Sequence, residues 1–321
     1  MKNFADRLTE QIERFGNPTV MGLDPLVEYI PDEILLHYGN QVEDKSMATA
    51  MAIFEFNRML IDATCDIIPA VKPQFAYYEM YGVHGMEALR RTISYAKEKG
   101  MLVIADAKRN DIGSTASAYA NAIIGETALW DQSLAAMYDA DAVTLNAYLG
   151  IDGIKPFIDI AKSRGKGIYI LVRTSNPSAG DFQDLRIEDG YTLYEKVAQK
   201  VAVWGEDLVG ESGYSSVGAV VGATWPEQAL ALRKIMPKSL ILVPGYGAKG
   251  GSAAAAAVNF DAKGKGAIVN ASRSIMCAWK KRTDLKPMDF QKATQEEALR
   301  MKTDLSDAIS RNNLTRTNWC V

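Results

Sequence analysis

The sequence predicts an α/β fold: a (β/α)8 TIM barrel with an N-terminal helix and extra helices in its loops. Three observations predict it. Eight short apolar runs, rich in β-branched residues, recur along the 321 residues. Most lack the apolar–polar alternation of a half-exposed strand, as expected of parallel strands covered on both faces. Segments with helical periodicity, such as GMEALRRTISYAKEKG and PEQALALRKIM, lie between them. That is the repeat of a barrel that typically takes ~250 residues before insertions. The rival, a doubly wound open sheet, leaves the eighth strand without a ready role.

The elements follow in order. Phe4, Leu8, Ile12 and Phe15 recur at helical spacing with charges between them, so the chain opens on an amphipathic helix. The strands begin near Thr19 (TVMGLDP), Ile68 (IPAVKPQ), Met101 (MLVIADAK) and Ala142 (AVTLNAY). They continue near Gly167 (GIYILVRTS), Val217 (VGAVVGAT), Leu240 (LILVPGYG) and Gly266 (GAIVNASRS). The longest connections, 25–67 and 176–216, read as barrel loops carrying extra helices, so 1–321 is expected to be a single domain. Residues after about 281 read as a final helix and a polar tail.

Composition narrows the function classes. The chain is 48% hydrophobic and 23% charged, enough for a sizeable core. Lys plus Arg number 36 against 39 Asp plus Glu, a net charge of −3, which argues against a nucleic-acid binder. Cys65, Cys277 and Cys320 are scattered, form no CxxC pair and suggest a reducing, cytoplasmic setting. No window approaches the roughly 20 apolar residues of a membrane span, and the start does not read as a signal peptide. His37 and His84 are the only histidines, so a Ser-His-Asp site or a His-ligated zinc is nearly excluded. Proton chemistry would have to come from Lys, Asp, Glu or Tyr.

Polar residues gather at the carboxyl ends of the expected strands, the active-site face of this fold. They are Asp24, Lys72, Asp106 with Lys108, Asn146, Thr174 with Ser175, Pro244 with its glycines, and Arg273. Any strand must end in something polar. Two lysines, two or three aspartates and an arginine in one opening, however, must be mutually paired to offset their burial. In MLVIADAKRNDIG, Asp106 and Lys108 are two apart and so face the same side, with Cα atoms roughly 6–7 Å apart. Asp111 follows in the loop and is expected to reach back toward the lysine. Lys72, on the neighbouring strand, pairs with Asp106 from the other side. Carboxylate neighbours keep Lys108 protonated. The line Lys72–Asp106–Lys108–Asp111 suits a reaction that makes a carbanion and protonates it. The plainer alternative is a structural ion-pair network at a barrel rim.

The seventh strand ends PGYGAKGG, whose Gly245, Gly247 and Gly250 satisfy G-x-G-x-x-G. A dinucleotide fold would carry that motif at its first strand–helix turn, with an acidic residue ending the next strand. Here it follows strand seven, and the acidic candidate, Asp261, precedes the next strand. Loops after strands seven and eight of a barrel commonly hold phosphate on backbone N–H groups. Arg273 adds a guanidinium suited to gripping that phosphate. The expected ligand is therefore a small phosphorylated molecule, bound at one end while chemistry proceeds near Lys108.

With these residues in place, the chain resembles the orotidine 5'-phosphate decarboxylase family in its longer bacterial form. The most specific motif is DAKRNDIGSTASAYA; VKPQFAYYE, VTLNAYLG, RTSNP, LVPGYGAKGG and SRSI accompany it. The resemblance implies loss of carbon dioxide from orotidine monophosphate to give uridine monophosphate, without metal or organic cofactor. It implies that Asp106 faces the substrate carboxylate and Lys108 protonates the C6 carbanion. Lys72 and Asp24 would hold the ribose hydroxyls and the charge network, and Ser175 would contact the pyrimidine. Arg273 and the glycine loop after Pro244, with Lys249 in it, would hold the phosphate. Family members are dimers in which Asp111 and Ile112 reach into the partner's site, so a homodimer is expected.

Three positions depart from the family pattern. Asn110 stands for the usual glycine, and asparagine tolerates a left-handed turn. Lys249 replaces a glutamine, and Ala147 a proline. Sugar-phosphate decarboxylases and hexulose-phosphate synthases resemble the same family in sharing Asp-x-Lys-x-x-Asp, but use Mg²⁺. They are the enzymatic alternative. A non-catalytic barrel that binds a phosphorylated ligand is the other.

Overall fold

In the computed structural model, which describes residues 2–247 and 251–317, the eight apolar runs form eight strands. They are β1 (Thr19–Leu23), β2 (Ala70–Pro73), β3 (Leu102–Arg109) and β4 (Ala142–Leu145). β5 (Gly167–Arg173), β6 (Ser215–Val221), β7 (Ser239–Val243) and β8 (Ala267–Ala271) complete them. They pair in parallel, in chain order, and β8 closes onto β1 through Thr19↔Val269 and Met21↔Ala271. The fold is the (β/α)8 barrel.

Strand periodicity divides the core in two. Val20, Ala70, Ile104, Ala142, Tyr169, Leu242 and Ile268 pack together with Phe4, Ala5 and Leu8 of the N-terminal helix Phe4–Phe15. That helix covers the amino-terminal mouth, with the Phe4 ring edge-on to Tyr169 at 5.9 Å. Asn3 caps it by accepting the Asp6 N–H at 2.9 Å. A Cβ at Gly167 would lie 2.2 Å from the Phe4 ring, so only glycine leaves room for this plug. The alternate strand residues face outward into a larger core under the crossover helices.

The inward faces also set the height of the polar layer. Side chains two residues apart share a face. Two residues beyond the apolar plug, the strands place Lys72 above Ala70, Asp106 above Ile104, Thr144 above Ala142 and Asn270 above Ile268. Apolar filling thus gives way to polar and charged groups in a single step along four strands.

The long connections each hold a regular crossover helix plus added turns. In 25–67 the crossover is Lys45–Thr64, and the added piece is Asp32–Gln41. In 176–216 the crossover is Leu193–Trp204, and the additions are Pro177–Ala179 and Gly180–Gln183. A small hairpin, Thr127–Ala128 with Leu134–Ala135, was not expected, because two-residue strands carry no readable period. After Lys281 the chain forms the helix Phe290–Thr317, and Phe290 packs on Phe56 at 5.0 Å between ring centres. Among the described residues, no helix is long and apolar enough to cross a membrane.

Candidate active site

Asp106 sits between two ammonium groups. Its Oδ2 accepts from Lys72 Nζ and its Oδ1 from Lys108 Nζ, both at 2.6 Å. Thr144 ties the cluster to β4: its hydroxyl donates to Asp106 Oδ1 (2.9 Å) and accepts the Lys108 N–H (3.0 Å). Lys72 and Asp106 are buried, whereas Lys108 stands at the rim, its side chain 45% exposed. Burial alone would push the Asp106 carboxyl up. The adjoining Lys72 and Lys108 outweigh it and hold the group well below the usual carboxylate range. Burial would likewise lower Lys72, but the carboxylates of Asp106 and Asp24 raise it above an ordinary lysine. Asp106 and Lys72 are therefore both charged at neutral pH.

The local backbone explains how Lys108 meets Asp106. From Ala105 to Arg109, β3 uses four residues while β4 advances only from Val143 to Leu145. This bulge carries Lys108 at φ +47°, in the left-handed region. Such a conformation in a non-glycine residue costs about 1–3 kcal/mol and persists where surrounding contacts impose it. The regular pleat expected from the sequence is thus replaced by a bulge that turns the ammonium back onto its neighbour. Asn110 is not the left-handed residue; Lys108 and Gly113 (φ 55°) take that role. Arg109 leaves the site, pairing with Glu79 and lying over Phe75 and Tyr119 at 5.4 and 5.3 Å.

The fourth member of the expected line is not joined to it. Asp111 accepts the Ile112 N–H at 2.8 Å, and among the described residues no ion pair joins it to Lys108. Asn146 is exposed and accepts the Tyr148 N–H at 3.0 Å, which makes it a turn residue.

A cavity of about 740 Å³ is lined by Asp24, Tyr77, Gly245, Tyr246, Asn270 and Arg273 among others, and Asp24 links it to the charged cluster through its effect on Lys72. Three buried oxygens in its wall, Asp24 Oδ1, Asn270 Oδ1 and Ser274 Oγ, have no hydrogen-bond partner among the described residues. Buried polar atoms without partners are rare and fit a site whose ligand supplies them. Gly245 (φ 101°) and Gly247 (φ 70°) bend the loop along this cavity as few other residues could. Arg273 is exposed at its end and pairs with no carboxylate among the described residues. Lys249 and Gly250 lie outside the described residues.

Ser175 lies where β5, β6 and β7 end. A Cβ at Gly222 would come within 2.9 Å of Ser175 Cβ, and one at Gly245 within 3.9 Å. Thr174, expected beside it as a ligand contact, has its hydroxyl engaged with Asn176 (2.6 Å) and Gln183 (2.8 Å). The sequence reading missed Thr144, Asn270, Lys280 and Lys281. Thr144 and Asn270 were findable as the polar residues at inward positions of VTLN and IVNA. Lys280 and Lys281 line the cavity from beyond the last strand, where no periodicity marks them.

Comparisons with known proteins bear on this site. A family model described as the orotidine 5'-phosphate decarboxylase / HUMPS family matches residues 51–287. A Caldicellulosiruptor saccharolyticus protein named orotidine 5'-phosphate decarboxylase is 42% identical over 310 residues, 97% of this chain and 100% of that one. One of the same name from Rhodopirellula baltica is 45% identical over 281 residues, 88% of this chain and 90% of its own. The solved structure of Leishmania donovani OMP decarboxylase is 30% identical with a TM-score of 0.68, over 94% of this chain and 99% of that one.

Proposed function

The chain belongs to the orotidine 5'-phosphate decarboxylase / HUMPS family, and from that premise we propose that it converts orotidine 5'-monophosphate to uridine 5'-monophosphate. The observation that carries this reading is the ionised Asp106 held between two ammonium groups at 2.6 Å each. Lys72 lies between the carboxylates of Asp106 and Asp24, while the partly exposed Lys108 ammonium faces the substrate carboxylate. When the C6–carboxylate bond breaks, its electron pair stays on C6 and carbon dioxide leaves. The negative charge then remains beside Lys108. An N–H bond of the Lys108 ammonium breaks, a C6–H bond forms, and the neutral amine regains a proton from solvent. An ammonium already in place for the developing charge requires little reorganisation, and it serves as both stabiliser and acid.

The rest of the substrate is held at a distance from this bond. Arg273 and the loop after Pro244, through Gly245, Gly247, Lys249 and Gly250, take the phosphate. Asp24 and Lys72 take the ribose hydroxyls, a role supported by the unpartnered Asp24 Oδ1 in the cavity wall. Ser175 lies against the pyrimidine. Binding energy from these remote contacts can be used to position the reacting carbon. We also propose that the protein acts as a homodimer in the cytosol, with Asp111 and Ile112 of each chain completing the partner's site. Two features support the dimer: among the described residues Asp111 makes no ion pair with Lys108 of its own chain, and Ile112 is 54% exposed.

Orotidine monophosphate added to the purified protein should lose absorbance at the long-wavelength side of its ultraviolet band, as uridine monophosphate forms, at the same rate with and without EDTA. Turnover that EDTA abolishes, or turnover of a sugar phosphate in its place, would favour the magnesium enzymes. Tight nucleotide binding with no absorbance change would favour a binding protein.

A further inference from the structure

Arg173, the last residue of β5, is only 1% exposed. Its guanidinium lies 4.4 Å from the centre of the Trp225 ring and 5.4 Å from that of Tyr194. It donates to Gln183 Oε1 (3.3 Å) and to Asp184 Oδ2 (3.1 Å). A cation this deep needs aromatic and polar partners, and these come from the added helix Gly180–Gln183 and its cap Asp184, from the crossover helix Leu193–Trp204, and from the loop after β6.

The same partners fasten the next residue. Gln183 Oε1 accepts the Thr174 N–H at 3.0 Å, and Gln183 Nε2 donates to the Thr174 hydroxyl at 2.8 Å. Trp225 Nε1 donates to the Thr174 carbonyl at 3.0 Å. Every polar group of Thr174 is thereby engaged by residues outside its strand. The following residue is Ser175, whose backbone rests against Gly222.

We infer that Gln183, together with Trp225, is a positioning residue that holds Ser175 over the base of the nucleotide, so that the insertion 176–216 reads the pyrimidine indirectly. This rests on the assignment of Ser175 to the pyrimidine. A residue acting only on Ser175 should affect ligands that carry a base and spare those that lack one. A general loss of packing would affect both alike.

The test compares binding of uridine monophosphate and of ribose 5-phosphate to the full-length protein. Gln183→Met keeps the volume and removes the two hydrogen bonds to Thr174 along with the longer one from Arg173. It should weaken uridine monophosphate by roughly tenfold, the effect of one to two hydrogen bonds, and leave ribose 5-phosphate within about twofold. Gln183→Glu keeps the acceptor for Thr174 and Arg173 and should restore most of the affinity. Combining Gln183→Met with Ser175→Ala should cost no more than either change alone, because both act through one contact. Equal losses for the two ligands, additive losses in the double variant, or full nucleotide affinity in Gln183→Met would overturn the inference. The two readings fail differently. A wild-type protein that gains nothing from the base sinks the Ser175 assignment and the inference with it. A wild-type protein that prefers the nucleotide, beside an unchanged Gln183→Met, sinks the inference alone.

Discussion

Replacing Lys108 by alanine should lower turnover of orotidine monophosphate by roughly 10⁴-fold or more, the combined size of a lost general acid and a lost stabilising charge. Affinity for uridine monophosphate should change by less than about tenfold, because the phosphate, ribose and base contacts proposed above do not include this side chain. The protein should remain folded. Asp106 keeps its 2.6 Å bond to Lys72, and the lysine removed is partly solvated. The backbone supplies an internal control. Position 108 holds φ +47°, which glycine adopts without the Cβ penalty. Lys108→Gly should therefore be as inactive as Lys108→Ala and more resistant to thermal unfolding. Turnover and equilibrium nucleotide binding, measured on both variants, check the prediction. Activity retained within tenfold in either one would remove Lys108 from the chemistry.

Arg273→Ala should act on the other end of the substrate. The guanidinium stands at the cavity with no carboxylate partner among the described residues, so its charge is available to an anion. Losing charge-assisted hydrogen bonds to a phosphate should raise KM by roughly 10²–10³-fold. Some fall in kcat should accompany it, because remote binding energy helps to position the reacting carbon. The informative control is orotidine, which lacks the phosphate: wild type and Arg273→Ala should process it equally slowly. If Lys108→Ala and Arg273→Ala instead gave the same mild loss, the division between a reacting end and a gripping end would be wrong.

Much of this site was legible in the sequence because the barrel turns linear position into height. Lys72 and Asp106 follow apolar residues on their strands, and the two-residue period lifts them just above the plug formed with Phe4 and Leu8. Arg273 and the glycines were legible because loops seven and eight sit together in any such barrel. Other features were not. The bulge at 105–109 is a two-residue excess in β3, and nothing in LVIADAKR announces it. The meeting of Lys108 with Asp106 was anticipated through a regular pleat and arises through a left-handed residue. Asp111 was expected to pair with Lys108 by its closeness in the chain, yet it accepts the Ile112 N–H and forms no ion pair with that lysine among the described residues. The fastening of Thr174 by Gln183 and Trp225 joins residues 9 and 51 apart in sequence. No local pattern encodes such contacts; only the closed barrel brings them together.

The central claim is that Lys108 delivers the proton to C6 while Asp106 faces the departing carboxylate. A crystal structure of the protein with bound uridine monophosphate tests it most directly. The account predicts the phosphate on Arg273 and C6 roughly 3–3.5 Å from Lys108 Nζ, the separation of a near-attack geometry. A nucleotide bound with C6 turned away from Lys108, or with its phosphate remote from Arg273, would contradict it.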